Sequence, residues 1–418
     1  MPRMGRNAAK AGLIAALDIG TAKIACLVAT LDSEGRPVFA GIGHQRSRGL
    51  KSGVVVDAEE AERAVRAAIG QAERMAGVAL DRVTLALGCG RIRSTRFVAR
   101  AALQSGIVRP DDLDRVLAGG EAYLQRDGRT LVHVDHSDWQ LDQTAGVRNP
   151  VGMAARELAV ELGAVTADEG PVRNLAAIIE RCHVTVGALT ATPVASAYAV
   201  TTLEERRLGA LVIDIGAGMT CLARFADGRL EQVEAIPVGG NHVTSDLAKG
   251  LATSLVEAER IKTLYGTLVK ATSDDSELIS YPVIGQEDEP TVAQTSRARI
   301  RELIGPRIEQ VFDLIGERLL AGQALLPGSD AVVLTGGTSQ LIGIEGAWMQ
   351  RFGGVARIGR PRPIGRMPGN MASPAFATVI GLVAAGRSDA GSGSDHLRAR
   401  ADDTGRLGRV QRWLRDSF

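Results

Sequence analysis

LDIGTAKIACLVA (residues 17–29) and IDIGAGMTCLARFA (residues 213–226) share one pattern: an apolar residue, Asp, Ile, Gly, small residues, then a returning apolar run. Each reads as strand, tight turn, strand. They stand in opposite halves of the chain, which points to a duplicated α/β domain with a cleft between the copies. Gly20, and Gly216 with Gly218, let the backbone approach a polyphosphate and turn N–H groups toward it. Thr21 and Thr220 would add hydroxyl donors. Asp18 and Asp214, at the strand-to-turn junctions, suit the waters of a hydrated Mg²⁺, which binds through few carboxylates. The Walker pattern GxxxxGK[ST] does not occur. One such motif alone is as well explained by a plain hairpin turn; the matched pair favours a site.

Two weaker signals join these. In LTGGTSQLIG (334–343), Gly336 and Gly337 follow a strand and precede a helix, suiting a floor under a flat base. Glu259 and Lys262, at i and i+3, share a helix face and could grip ribose hydroxyls and a base edge. Alone, that pair reads better as a solvated ion pair.

The surrounding chain is ordinary for a globular protein: 418 residues, 45% hydrophobic, 23% charged, formal net charge +1. Such balance gives no global field toward nucleic acid, so basic function must be local. Cys26, Cys89, Cys182 and Cys221 have neither metal-ligand nor disulfide-framework spacing. No run of 18 apolar residues suggests a membrane span. Residues 1–12 resemble a signal peptide only superficially and read as a disordered leader. DAEEAERAVRAAIGQAERMAG reads as a helix capped by Asp57 and stopped at Gly77. From about Arg91 to Gly170 the rhythm changes to a compact α+β unit. SLVEAERIKTLYG reads as a helix with a Ser254/Glu257 capping box, and the helix at 296–320 as kinked at Pro306. SPAFATVIGLVAAG reads as a helix with Ser373 as cap and Pro374 at its first position.

The order LDIGTAK, TPVASAYAV, IDIGAGMT, LTGGTSQLIG, SPAFATVIGLVAAG resembles the superfamily of actin, the sugar kinases and the heat-shock chaperone ATPases. Within it, the inserted unit with RNPVGM (148–153), then SDLAKGL, EAERIKTLYG and the ending RVQRWLRDSF, closely resembles the FtsA family of bacterial division proteins. The resemblance implies an α/β, actin-like (ribonuclease H-like) fold: duplicated domains around a nucleotide cleft, an inserted α+β subdomain and a C-terminal amphipathic helix. It implies one half from 13–90 and 171–206, the insert at 91–170, and the other half from 207–240 and 328–386. A nucleotide-side subdomain would occupy 241–327, a flexible linker 387–404 and a terminal helix 405–418.

The resemblance also implies ATP with Mg²⁺ as ligand. Phosphate contacts would come from Gly20, Thr21, Lys23, Gly216, Ala217, Gly218 and Thr220; adenosine contacts from Gly239, Gly240, Glu259, Lys262, Gly336, Gly337 and Thr338. Asp18 and Asp214 would meet Mg²⁺ through water. Relatives that hydrolyse ATP well often carry Glu or Gln before the first connecting helix, whereas Thr192 precedes Pro193 here. A hydroxyl positions water poorly, so slow hydrolysis at best is expected. The implied partners are FtsZ, captured by its C-terminal peptide, further copies in a filament, and later division proteins, at the cytoplasmic face of the inner membrane at midcell. FtsA-like proteins receive the FtsZ peptide on the 241–327 subdomain. There SRARIRELIGPR offers a basic helix face, with Arg297 and Arg301 as first candidates and a merely solvated face as the alternative.

GRLGRVQRWLRDSF (405–418) answers to membrane targeting. On a helix, Leu407, Val410, Trp413, Leu414 and Phe418 share one face, while Arg409, Arg412 and Arg415 take the flanks and the opposite side. Four arginines less Asp416 leave three net charges, about 3 kcal/mol at an anionic surface. A single copy would bind modestly and a filament far better. Docking on the chain's own domain or on a partner protein fits the same pattern; the loose linker and the resemblance favour an anionic membrane. A small-molecule kinase, or another actin-like scaffold such as a pilus-assembly protein, are the rival readings. Both leave the terminal helix unexplained.

Overall fold

A computed structural model describes residues 12–124, 128–272, 276–285, 292–322 and 330–388. Residues 1–11 of the expected leader, most of the expected linker, and the terminal-helix residues Leu407, Arg409, Val410, Arg412, Trp413, Leu414, Arg415 and Phe418 lie outside them.

Both hairpins form. Leu13–Ile19 pairs antiparallel with Lys23–Leu31, and Ala210–Ile215 with Thr220–Ala226. The turns are alike: Gly20 N donates to Lys23 O and Gly216 N to Met219 O, each at 2.9 Å. Each hairpin nucleates a five-strand set of one topology. In the first, the order is Pro37–Arg46, Lys23–Leu31, Leu13–Ile19, Arg82–Leu87, Thr185–Ala191. In the second it is Arg229–Ile236, Thr220–Ala226, Ala210–Ile215, Ala331–Thr335, Ala356–Ile358. The last two strands of each set run parallel to the first. Buried on both faces, Ala210–Ile215 is a near-continuous apolar run broken only by Asp214.

Helices cover these sheets where the sequence places apolar stripes. Ala58–Ala76 buries Ala61, Ala64, Val65, Ala68, Ile69 and Ala72. Asp57 caps it by accepting from Glu60 N, and Gly77 ends it in the left-handed region. Two connecting helices, Thr192–Val200 and Ala377–Ser388, pack against each other between the halves. At the start of the second, Pro374–Phe376 forms a 3₁₀ turn over the Ser373 cap, so the α-helix begins at Ala377. Likewise Gly337–Gln340 is a 3₁₀ turn, and the helix after LTGG starts only at Ile344. At Leu255–Tyr265 only half of the expected capping box forms. Ser254 accepts from Glu257 N, but the Glu257 carboxylate is drawn to Arg260 instead. Arg297–Ala321 runs unbroken through Pro306.

The inserted unit holds strands Arg93–Ala102, Arg129–Leu141, Thr144–Val147 and Glu157–Asp168, with Pro110–Leu124 packed on their apolar face. Its sheet is continuous with that of the second half through Glu234 beside Arg93, giving nine strands among the described residues. The unit therefore bridges both halves. On the second half, Ser94 Oγ accepts from Val233 N at 2.9 Å and Arg96 pairs with Glu231 at 2.7 Å. At its root, Arg129 holds Asp168 at 2.6 Å. On the first half, His133 Nε2 accepts from Ala191 N at 2.9 Å, at the N-cap of the first connecting helix.

That last bond needs a neutral imidazole with its proton on Nδ1. Burial pushes His133 down from 6.5 to about 4. Between these values the unfolded chain binds a proton that the folded chain refuses, so the contribution is present above about pH 6.5 and is lost as pH falls toward 4. His133→Gln keeps an acceptor but does not titrate. Urea midpoints at about pH 7 and about pH 5 should fall less for this variant than for the parent; equal falls would remove His133 from the acid response.

Candidate functional site

The two hairpin tips meet at the floor of the cleft between the halves. A Cβ built on Gly218 would lie 2.4 Å from Thr21 Oγ1, so only glycine allows this approach. Thr21 Oγ1 is held by the N–H of Gly53 at 3.2 Å. Behind the second tip, Gly240 N donates to Gly216 O at 2.9 Å and Asn241 N to Ala217 O at 2.7 Å. Thr338 Oγ1 donates to Gly216 O at 2.9 Å. Gly239, Gly240, Ala217 and Thr338 thus form one wall with the turn of the second hairpin. Gly336 adopts φ 85°, and a Cβ there would strike Asp214 Oδ1 at 2.3 Å. Gly337 faces open space, its nearest neighbour 4.0 Å from where a Cβ would stand.

Lys262 completes the wall. Its ammonium reaches Glu259 at 2.6 Å, Thr244 Oγ1 at 2.9 Å and Gly240 O at 3.2 Å. The Lys262 side chain is 11% exposed and packs into the wall, while the Glu259 side chain, 50% exposed, keeps its end of the pair in solvent. Thr220 differs from its expected place. It is wholly buried, and its hydroxyl donates to Val238 O at 2.8 Å, in the segment after Arg229–Ile236.

Charge is concentrated at the floor. Asp18 is raised to about 6, first by burial and further by Asp214, against the lowering effect of Lys23. Lys23 is lowered to about 8 by burial, opposed by Asp18 and Asp214. Its ammonium caps the Ala375 carbonyl and sits 3.6 Å over the Phe376 ring. Asp214 is raised by burial and held back by hydroxyl donors: Ser196 Oγ at 2.5 Å and Thr378 Oγ1 at 3.2 Å, both on Oδ2. The sequence reading missed Ser196 and Thr378. The available signal was a small hydroxyl residue within the mostly apolar stretch of each connecting helix.

Cradle and donor set fit a nucleotide with a hydrated cation. The glycines leave room that side chains would fill, and the backbone there can face phosphate. Among the described residues no group of three or more His, Cys, Asp or Glu could hold a metal directly. A cation here would keep waters and take phosphate oxygens, as Mg²⁺ does. Thr192 stands at the start of the first connecting helix, its Oγ1 3.1 Å from the Cβ position of Gly88.

Arg297 and Arg301 are half-buried on Arg297–Ala321. Arg297 pairs with Glu277 at 3.0 Å and lies 6.0 Å from the Tyr265 ring centre; Arg301 is also engaged. Arg299 pairs with Glu302, and Arg307 grips Asp246 at 2.6 and 3.0 Å. The basic helix face is therefore largely ion-paired. Among the described residues no helix is long and apolar enough to cross a membrane.

Comparison with known proteins gives consistent results. A family model described as cell division protein FtsA matches residues 211–381, and one described as the SHS2 domain inserted in FtsA matches 89–166. The cell division protein FtsA of Agrobacterium fabrum is 35% identical, the match covering 100% of this chain and 98% of that protein. That of Escherichia coli is 30% identical, covering 97% and 98%. Among solved structures, a PilM-PilN type IV pilus biogenesis complex matches with a TM-score of 0.63 at 16% identity, over 89% of this chain and 98% of that one. MreB5 of Spiroplasma citri bound to ADP matches with a TM-score of 0.51 at 18% identity, over 91% and 97%. These structures share the fold.

The Gly218–Thr21 approach gives a direct test of the cradle. Gly218→Ala should part the hairpin tips, at about 1–3 kcal/mol for an overpacked contact. ATP affinity measured by equilibrium titration should then weaken by roughly tenfold or more. Unchanged affinity would mean that the tips do not hold the ligand.

Proposed function

The chain belongs to the FtsA family of cell division proteins, and from that premise we propose that it is an ATP-binding, filament-forming adaptor that ties FtsZ to the cytoplasmic face of the inner membrane at midcell. The observation that carries the ATP reading is the meeting of Gly218 with Thr21, which sets two phosphate-type turns against each other. Gly20, Thr21, Lys23, Gly216, Ala217 and Gly218 would take the phosphates; Thr220 would support the second turn from within. Gly239, Gly240, Gly336, Gly337, Thr338, Glu259 and Lys262 would frame the adenosine, and Asp18 and Asp214 would hold the waters of Mg²⁺. Bound there, the cation would neutralise phosphate charge. Lys23 would leave the Ala375 carbonyl for phosphate, exchanging one oxygen partner for another. With Thr192 where a water-orienting carboxylate would stand, ATP serves chiefly as an assembly ligand with slow turnover.

The terminal segment supplies the membrane contact. Its apolar face would sit at the acyl boundary with arginines at anionic headgroups. Copies aligned in a filament would raise avidity by effective concentration. The whole chain and a chain ending at Thr404 should be sedimented with anionic and neutral vesicles, with ATP and FtsZ. The whole chain should pellet on anionic vesicles and bring FtsZ down, and the shortened chain should do neither. If both stay in the supernatant, the terminal helix docks on protein and the anchor reading fails.

FtsZ capture is placed on the 241–327 subdomain, where an acidic peptide would compete with Glu277 for Arg297 and meet Arg301 beside it. Arg297→Glu should weaken binding of the FtsZ C-terminal peptide by roughly tenfold, the scale of one charge-assisted contact. Fluorescence anisotropy with a labelled peptide reads this. Intact binding would move the site elsewhere on the subdomain.

A further inference from the structure

The Asp214 carboxylate is the point where three elements of the cleft floor are fastened together. Ser196 comes from the first connecting helix, Thr378 from the second, and Asp214 from the end of a central strand of the second half. All three are buried. Both hydroxyls lie on Oδ2, at 2.5 and 3.2 Å, and 3.0 Å from each other. Oδ1 is left beside Gly336, where no side chain could fit. The carboxylate orientation is thus set from behind by the two helices that join the halves.

We propose that Ser196 and Thr378 are positioning residues, which aim Asp214 at a cleft-bound cation and link its occupancy to the crossing of the two connecting helices. This rests on the reading of the cleft as an ATP site. Two features of the geometry support it. First, the helices have little slack at their crossing: a Cβ on Gly381 would lie 1.7 Å from Ala195 O, so the backbones are in direct contact one residue from Ser196. A shift of either helix must therefore be felt at the hydroxyls. Second, the cluster has two satisfied arrangements. Two hydroxyl protons serve three short oxygen contacts. With both protons given to Asp214, the contact between the hydroxyls carries none. When the carboxylate leans toward a cation's water, one hydroxyl can turn to the other, so no buried donor is stranded. The staple can thus change state by rotating a hydroxyl, without a buried cost that would resist it.

The test uses the whole chain and its Ser196→Ala, Thr378→Val double variant, with Ser196→Thr and Thr378→Ser as hydroxyl-retaining partners. ATP affinity is measured with Mg²⁺ and with EDTA, and hydrogen exchange is followed in 192–200 and 377–388 before and after Mg²⁺ and ATP are added. In the parent, Mg²⁺ should tighten ATP binding and slow exchange in both helices. The double variant should bind ATP in EDTA as the parent does, and lose roughly tenfold of the Mg²⁺ gain per hydroxyl, together with the slowing in the helices. The hydroxyl-retaining variants should keep both. A purely structural role would lower affinity equally in the two media. A double variant with the parent's Mg²⁺ gain and helix protection overturns the proposal while leaving the ATP reading intact; a parent that binds no ATP overturns both. If the double variant does not fold, the near-isosteric Thr378→Val alone carries the same readouts, and parental behaviour there is equally fatal.

Discussion

Burying carboxylates beneath a cleft is costly, and the architecture of this chain answers that cost at one place. Asp18 and Asp214 both lie where water is largely excluded, and each is pushed toward its neutral form by that burial. Lys23 offsets part of the cost for both. Ser196 and Thr378 offset more for Asp214, through hydroxyls that an apolar helix face would otherwise not carry. These groups come from both hairpins and both connecting helices. The relation of one half to the other is thereby tied to the electrostatics of the floor, and an anionic ligand with its cation would act on the same groups.

The inserted unit is held by a different logic. It leaves the first half, yet its sheet extends that of the second. The Ser94 and Arg96 side chains bond the backbone of the second half and His133 bonds Ala191 of the first, which fastens it on both sides. His133 holds the residue just before Thr192, so the insert reaches the start of the first connecting helix. A change in the angle between the halves cannot leave the insert where it was. This makes it more than a decoration on an actin-like frame.

Much of the frame was readable from particular residues. The paired LDIG and IDIG stretches foretold two hairpins of one design, and both turns close through the same N–H to carbonyl bond. Asp57 and Gly77 marked a helix that begins and ends as local capping rules require. The departures were also local. Glu257 was expected to close a capping box, but Arg260 lies at i+3 and takes its carboxylate. Thr220 was expected to face phosphate, but its position in the pleat turns the hydroxyl inward to Val238. Glu259 and Lys262 read alone as a surface pair, and spacing along a helix does not reveal that the lysine packs into a wall while the carboxylate stays half exposed.

What the sequence by itself determined was periodic and short-range: the duplicated strand–turn–strand units, the helix caps and the glycines at turns. These depend on backbone sterics and on contacts a few residues apart, and both are written in consecutive letters. Tertiary structure alone decided that Ser196 and Thr378 would share one oxygen of Asp214, that Gly218 would meet Thr21, and that the insert would join the sheet of the half it does not arise from. Such contacts bring together residues far apart along the chain. Their selection depends on how whole faces pack and on which buried polar groups then find partners, a global condition that no local pattern encodes.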